Sequence, residues 1–148
     1  MTGRPSMIGI VGWKNSGKTR MVAALVAELT ARGWTVSTVK HAHHAFDIDQ
    51  QGTDSWQHRE AGAREVAIVS ERRWALMHEI GPDADDPPLD EMIGRLSPCD
   101  LVIVEGYKRE GHDKIEIRQA EPYSYCQFVV GPAHPAFGRA RHPFMTGS

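Results

Sequence analysis

The sequence lacks any long apolar run, and no stretch approaches the ~20 residues that a membrane-spanning helix needs. Its first six residues, MTGRPS, lack the apolar core of a signal peptide. Cysteine is scarce, and Cys99 and Cys126 are far apart and form no CxxC pair, which argues against a disulfide scaffold and a thiolate zinc site. These absences predict a cytoplasmic protein.

The sequence also lacks a strong excess of charge of either sign. The net charge is −2 and the pI is near 6.4, which argues against a nucleic-acid groove, because such a groove needs a basic face. A local basic pocket for one phosphate-bearing ligand stays compatible with these values. With 148 residues, 41% of them apolar and 24% charged, the composition is that of a globular protein, and we expect one domain over residues 1–148.

Short apolar runs alternate with segments of helical periodicity, which predicts an α/β fold with a mostly parallel sheet flanked by helices. One apolar helical face is formed by Met21, Val22, Leu25, Val26 and Leu29, and we expect that helix to end at Gly33. The tail from about residue 132 is expected to be irregular or shortened. Strands are predicted at 7–11, 34–40, 65–69, 72–80, 101–104, 114–119 and 127–131, and helices at 18–32, 54–62 and 89–96.

The segment GWKNSGKT, residues 12–19, matches the phosphate-binding P-loop pattern G-x-x-x-x-G-K-[ST]. It directly follows a predicted buried strand and opens a predicted helix, as the mechanism requires. Gly12 and Gly17 allow the backbone N–H groups to face phosphates, Lys18 can reach the terminal phosphates, and the Thr19 hydroxyl can bind Mg²⁺. The alternative is a glycine-rich turn with a solvated lysine, which the strand–loop–helix context disfavours.

A carboxylate follows another predicted buried strand, in the segment LVIVEG. In P-loop proteins such a strand-end carboxylate completes the Mg²⁺ environment, and Glu105 occupies that position. Asp100, at the start of the same strand, lies at the wrong end of the sheet. The alternative is that Glu105 is a solvated carboxylate, but ligands in open α/β sheets gather at the carboxyl ends of strands.

The polar run KHAHHAFDIDQQGTDS, residues 40–55, follows the second predicted strand and is expected to overhang the same crevice. Lys40 and His41 are candidates for phosphate contact. Asp47, Asp49 and Asp54 are candidates for direct or water-mediated contact with Mg²⁺, which prefers oxygen ligands.

Two other interpretations of this run stay open. His41, His43 and His44 could bind a transition metal, although no partner set at zinc spacing accompanies them. The run could also be a polar loop in which Asp54 only caps the next helix, with Gln57 completing a capping box. A solvated face best explains His58 and Arg59 on that helix.

Four segments taken in order resemble the molybdopterin-guanine dinucleotide biosynthesis adapter proteins, the MobB family. They are GWKNSGKT, KHAHHAFDIDQQGTDSWQHREAGA, RRWALM and LVIVEGYK, and the resemblance covers roughly residues 7–119. The P-loop alone is generic, whereas the His/Asp-rich loop joined to D-S-x-x-x-R-x-A-G-A is much more specific.

The resemblance implies a homodimer that binds GTP with Mg²⁺, hydrolyses it slowly at most, and associates with the guanylyltransferase that attaches GMP to molybdopterin; contact with molybdopterin itself is a further expectation. It implies that Glu105 stands near the metal and that residues 40–54 are the family's own signature. From its charged groups, its glycine at Gly52 and its few apolar residues, we also expect this loop to sense the nucleotide and to be contacted by a partner. The chain has no N-K-x-D motif, so the preference for guanine rests on the resemblance alone. The implied phosphate-binding residues are Gly12, Asn15, Ser16, Gly17, Lys18 and Thr19.

Two other protein classes share parts of this pattern. The order of P-loop, strand ending in lysine, acidic loop and V-E-G strand is similar to dethiobiotin synthetase, an ATP-using enzyme. Tyr107 and Lys108 replace the glycine-rich continuation of that family. A nickel or zinc chaperone with a P-loop is the third possibility, and it rests only on the histidines.

Overall fold

The computed structural model describes residues 3–42, 46–120, 123–129 and 141–142. The chain divides into two compact units: Met1–Ala42 with Pro88–Ser148, and His43–Pro87. The single domain predicted over residues 1–148 stays a prediction. None of the helices in the described ranges is long and apolar enough to cross a membrane. The elements are β1 (Ser6–Gly12), α1 (Lys18–Ala31), β2 (Val36–Lys40), α2 (Asp54–Glu60), β3 (Glu65–Val69), β4 (Trp74–His78), α3 (Leu89–Gly94), β5 (Leu101–Glu105), β6 (Lys114–Ala120), β7 (Tyr123–Val129) and β8 (Arg141–His142).

The first unit contains a six-stranded sheet in the order β2-β5-β1-β6-β7-β8. Strands β2, β5, β1 and β6 are mutually parallel, whereas β7 and β8 add antiparallel pairs at one edge. In the register, Lys40 and Ile10 both lie opposite Glu105, so the carboxyl ends of β2, β5 and β1 meet. The predicted α/β class with a mostly parallel sheet is therefore confirmed.

Each face of this sheet carries its own apolar cluster. On one face Ile10, Ile103 and Ile117 are buried, and the predicted apolar stripe of α1 packs on them. On the other face Val39, Val102 and Val104 pack against Leu89 and Ile93 of α3. Burial on both faces explains why the β5 sequence is continuously apolar rather than alternating.

The second unit includes residues 46–53 of the polar loop, α2 and a hairpin of β3 and β4. The two strands pair antiparallel, with Val69 opposite Trp74, and Val66 is buried. Val69 and Trp74 are 74% and 69% exposed, so the unit leaves apolar surface open. The sequence predicts both strands correctly, but they pair with each other in a sheet of their own and are not strands of the parallel sheet.

The start of α2 differs from the predicted capping box. Thr53, not Asp54, is the N-cap residue, and Asp54 is the first helical residue. The Gln57 side chain donates to the carbonyl oxygen of Gly52 at 3.1 Å. The predicted end is correct, because Ala61 caps the helix and Gly62 follows at φ 101°.

At the C-terminus, β7 begins at Tyr123, earlier than predicted, and ends at Val129. Of the tail expected to be irregular, only the two residues of β8 lie within the described ranges. The rest of that prediction lies outside the described residues.

Candidate functional site

The predicted P-loop joins β1 to α1 and is built on glycines in special conformations. Gly12 has φ +156°, and a Cβ atom there would lie 2.6 Å from both the carbonyl oxygen of Ile117 and Ser16 Oγ. Gly17 has φ +94° and forms the left-handed N-cap of α1. Asn15, at φ 61°, is a non-glycine residue in the left-handed region, which asparagine tolerates better than most. A side chain would therefore collide with its neighbours at Gly12 and would strain the backbone at Gly17.

Lys18 folds back across the loop. Its Nζ atom donates to the carbonyl oxygen of Trp13 at 2.7 Å and to that of Gly12 at 3.2 Å. A lysine ammonium has three N–H donors, so these two bonds fix its position and leave one donor for a ligand. The arrangement is suited to an anion seated at the start of α1, where the helix end is also positive.

Ser16 supplies a second sign that the loop fits a phosphate group. Its side chain is 4% exposed, and its Oγ atom has no hydrogen-bond partner within the described part of the chain. Buried hydroxyl groups are ordinarily paired, because an unpaired one costs roughly 1–3 kcal/mol. A phosphate oxygen at this loop would provide the missing acceptor. Two features of the loop therefore fit a phosphate ligand: the backbone conformation at Gly12 and Gly17, and the Ser16 hydroxyl group, which is orphaned in that it has no partner among the described residues.

Glu105 ends β5 beside the start of α1. Thr19 Oγ1 lies 3.5 Å from Glu105 Oε1, at the long limit of a hydrogen bond. The Lys40 ammonium lies 3.9 Å from the same oxygen, and the Glu105 side chain is only 13% exposed. Two oxygens bound to one Mg²⁺ at about 2.1 Å can be at most about 4 Å apart, so the Thr19 and Glu105 oxygens are compatible with a shared cation.

The segments that follow β2 and β5 contact each other. The His41 N–H donates to the Glu105 carbonyl oxygen at 2.9 Å, and the His41 ring lies 4.7 Å from the Tyr107 ring. Gly106 has φ +98°, and a Cβ atom there would lie 2.9 Å from His41 Cβ. His41 is therefore held against the backbone that carries Glu105. Sequence reasoning did not single out Tyr107 for this role.

Asp47 and Asp49 of the polar loop belong to the second unit and contact the same arginine. Arg59 Nη2 lies 2.7 Å from Asp49 Oδ1 and 3.1 Å from Asp47 Oδ1, and Arg59 Nη1 lies 3.2 Å from Glu79 Oε1. Arg59 is 13% exposed and Asp49 is 3% exposed. The hydrogen bond from Arg59 is the main cause that lowers the pKa of Asp49, and the same pair raises the pKa of Arg59.

From the sequence, we expected Arg59 to lie on a solvated face. That expectation is wrong, because the side chain is largely buried and bonds carboxylates. Asp47 and Asp49 as metal ligands stay a prediction, but in the described structure both carboxylates already bond a guanidinium group. Asp54 is exposed in the first turn of α2. A signal for Arg59 was available in the D-S-x-x-x-R motif itself, which places an arginine one turn beyond the loop.

The predicted transition-metal site depends on three histidines of the polar loop. His43 and His44 lie outside the described residues, and His41 contacts Tyr107. Within residues 3–42, 46–120, 123–129 and 141–142, no group of three or more His, Cys, Asp or Glu side chains could hold a metal ion. The described residues therefore do not support the transition-metal interpretation.

A buried polar pair that the sequence did not reveal lies where β6 begins. Lys114 is buried and its ammonium donates to the carbonyl oxygens of Glu110 and His112, the latter at 2.9 Å. Both ring nitrogens of His112 are buried without a hydrogen-bond partner in the described chain. Burial, aided by the Lys114 charge, lowers the pKa of His112. A Cβ atom on Gly9 would lie 2.5 Å from His112 Nε2, so this glycine makes room for the ring.

Comparison with known proteins assigns the chain to a family. The sequence model described as "Molybdopterin guanine dinucleotide synthesis protein B" matches residues 7–129. The chain is similar to the molybdopterin-guanine dinucleotide biosynthesis adapter protein of Haemophilus influenzae, with 38% identity over 121 residues that cover 82% of this chain and 67% of the relative. It is 39% identical over 111 residues to the protein of that name from Escherichia coli, covering 74% of this chain and 63% of the relative.

A solved structure agrees with these matches. The MobB protein homolog from Bacillus stearothermophilus superposes with a TM-score of 0.58 and 31% identity, covering 78% of this chain and 65% of that one. The chain thus spans about two thirds of the length of these relatives. Neither the dethiobiotin synthetase nor the metal-chaperone interpretation is favoured by these matches. With the fold of P-loop nucleotide-binding proteins and a family match over most of its length, this chain belongs to the molybdopterin guanine dinucleotide synthesis protein B family.

Proposed function

We propose that this protein is a GTP-binding adapter of molybdenum cofactor biosynthesis. It assists the guanylyltransferase that converts molybdopterin to molybdopterin guanine dinucleotide, and it acts in the cytoplasm as a homodimer. The relatives named above carry the adapter name, which supports the pathway. Contact with molybdopterin itself would take place in the complex with the guanylyltransferase.

The observation that carries the nucleotide part of the proposal is the position of Lys18. Its ammonium is fixed by the carbonyl oxygens of Gly12 and Trp13, so a phosphate group meets a donor that needs no rearrangement. Ser16 would bond a phosphate oxygen through its orphaned hydroxyl group. The loop backbone around Asn15 and Gly17, together with the start of α1, would surround the remaining phosphate oxygens.

Mg²⁺ would be held by the Thr19 hydroxyl and the Glu105 carboxylate, whose oxygens are 3.5 Å apart. The ion would supply charge neutralisation for the terminal phosphates. Lys40, 3.9 Å from Glu105, would balance the carboxylate when the ion is absent. Asp47 and Asp49 are the less favoured Mg²⁺ ligands, because Arg59 already bonds them.

The loop over residues 40–54 would sense the nucleotide. Its first residues, Lys40 and His41, contact Glu105 through the ammonium group and the backbone N–H. A change at Glu105 on Mg²⁺ binding would therefore reach the start of this loop directly. We propose that the partner protein recognises this loop through His43, His44 and Asp54. Segments that respond to a γ-phosphate and its metal in this way are a common type of switch.

A nucleotide-binding measurement tests the proposal. Calorimetry with GTP and with ATP, each with Mg²⁺, should show GTP binding that is lost in Lys18→Ala. The matched control is Lys14→Ala, which removes an exposed lysine of the same loop and should bind as the wild type does. Unchanged GTP affinity in a folded Lys18→Ala protein would refute the phosphate site, and preference for ATP would refute the assignment of GTP.

The adapter role needs a separate measurement. The purified guanylyltransferase of the same organism should bind the wild-type protein more tightly with GTP and Mg²⁺ than without them. Hydrogen exchange across residues 40–54 should slow with a non-hydrolysable GTP analogue and Mg²⁺, but not with Zn²⁺ alone. Protection by stoichiometric Zn²⁺ without nucleotide would instead favour a metal chaperone.

A further inference from the structure

Trp13 stands at the rim of the P-loop and is almost fully solvent-exposed. Its 80% exposure is the largest value among the exposed large apolar side chains of the described residues. Burying an aromatic side chain of this size removes 150–250 Å² from water, which is worth several kcal/mol at about 25 cal/mol per Å². Burying the exposed Trp13 indole group against a partner would therefore contribute substantially to the free energy of binding.

The backbone beneath this indole is fixed. The carbonyl oxygen of Trp13 accepts hydrogen bonds from Lys18 Nζ at 2.7 Å and from the Ser16 N–H at 3.2 Å. Gly12, the preceding residue, is held against the Ile117 carbonyl oxygen, where a Cβ atom would not fit. A tryptophan on a rigid base loses little conformational entropy when it is bound, and tryptophan is enriched among residues that dominate interface energies.

The surroundings of Trp13 are basic. From Val11 to Ala27 the sequence contains no acidic residue, whereas Lys14, Lys18 and Arg20 all fall in this stretch. Lys14 and Arg20 are exposed, and the first turn of α1 carries no acid. The whole chain has a net charge of −2, so the P-loop and the first turns of α1 are a local exception. A partner that binds here gains from carboxylates around an apolar pocket.

We propose that Trp13 is the main contact by which this protein binds its guanylyltransferase, and that it enters an apolar pocket bordered by acidic side chains on that enzyme. This inference rests on the proposed adapter function. The partner then docks on the loop that carries the nucleotide phosphates. The hydrogen bond that fixes the Lys18 ammonium also fixes the backbone from which the Trp13 side chain projects.

Calorimetry with the purified guanylyltransferase, at saturating GTP and Mg²⁺, tests the inference. Trp13→Ala should weaken binding at least about 30-fold, the loss expected for a side chain that contributes 2 kcal/mol or more. The affinity of each variant for GTP is measured first, so that all proteins are compared fully loaded. Trp34→Ala is the matched control, because Trp34 is 46% exposed and precedes β2 at the opposite end of the sheet. It should bind as tightly as the wild type.

Two further measurements separate the possible outcomes. Lys14→Glu should also weaken binding, and raised salt should reduce its effect, because the proposed contact is partly electrostatic. If the wild type does not bind the guanylyltransferase, the adapter function itself fails. If the wild type binds and Trp13→Ala binds equally well, the Trp13 proposal is wrong. A change of oligomeric state in Trp13→Ala, but not in Trp34→Ala, would place the indole group against a second copy and would also overturn it.

Discussion

Arg59 and Asp49 form a two-point ion pair inside the second unit. Arg59 Nη2 lies 2.7 Å from Asp49 Oδ1, and Arg59 Nε lies 3.2 Å from Oδ2. Such paired contacts fix a carboxylate in orientation as well as position. The loop that the sequence presents as a set of metal ligands is thereby tied to α2, and its apolar residues do not hold it, because Phe46 and Ile48 are exposed.

We predict that Arg59→Met releases this loop. Asp49 would be left buried without its counter-charge, so hydrogen exchange across residues 46–53 should become faster and the stability of the unit should fall. Arg64→Met, at an exposed position of the same unit, is the control and should leave exchange unchanged. Equal exchange in all three proteins would show that the ion pair does not hold the loop.

We predict that His112 makes the protein less stable at mildly acidic pH. Its pKa in the folded state is lowered from the usual 6.5, chiefly by burial. The folded state therefore favours the neutral ring, and its full stability is present above pH 6.5 and declines as the pH falls below that value. Urea unfolding at pH 7.5 and 5.5 should show a smaller loss of stability for His112→Leu than for the wild type. His58→Leu, at an exposed position of α2, should keep the wild-type loss, and an identical loss in His112→Leu would contradict the prediction.

We predict unequal effects of alanine at the two P-loop glycines. Gly17→Ala meets no atom within 4 Å but has φ +94°, so it should cost about 1–2 kcal/mol of backbone strain. Gly12→Ala should cost more, because its Cβ atom would collide with the Ile117 carbonyl oxygen at 2.6 Å. Thermal unfolding and GTP binding of both variants measure this difference. Gly3→Ala, with open space and ordinary backbone, is the control.

We predict that Glu105→Gln weakens GTP binding in the presence of Mg²⁺ more than in its absence. The substitution keeps the size of the side chain and removes its charge, so it isolates attraction to the metal. The loss should be about tenfold or more with Mg²⁺. Because Lys40 also faces Glu105, Lys40→Gln serves as the control for the lost ion pair. Equal losses with and without Mg²⁺ would mean that Glu105 does not act on the metal.

Local patterns predicted the elements of this fold well. The apolar stripe of α1 and the continuous apolar run of β5 correctly predicted which faces are buried. They could do so because the spacing of apolar residues along an element shows which of its faces is covered. The pairing of β3 with β4 was not predicted, because an isolated hairpin and two strands of a larger sheet have the same local pattern. Choosing between them depends on contacts that are distant in sequence.

In the candidate site too, features set by neighbouring residues were predicted, whereas features that depend on contacts distant in sequence were missed. The position of the P-loop was predicted from its spacing and from the strand and helix that flank it, because all of these lie close together in the chain. The role of Arg59 was missed although the D-S-x-x-x-R motif marks its position, because the motif does not show which carboxylates surround the arginine in the folded chain. His112 and Lys114 were missed because only the three-dimensional path from β5 to β6 buries them.

The pairing of β2 with β5 has a consequence for how fast the chain folds. Thr35 and Asp100, which bond at the amino ends of these strands, are 65 residues apart in sequence. Closing a flexible loop of that length costs about 4 kcal/mol of chain entropy, which slows formation of the sheet. The intervening unit, His43–Pro87, is compact, and its two strands are adjacent in the sequence and pair with each other, so it can collapse on its own. If it does so first, only about 20 flexible residues remain to be closed, which lowers the barrier by about 1 kcal/mol and speeds closure roughly fivefold.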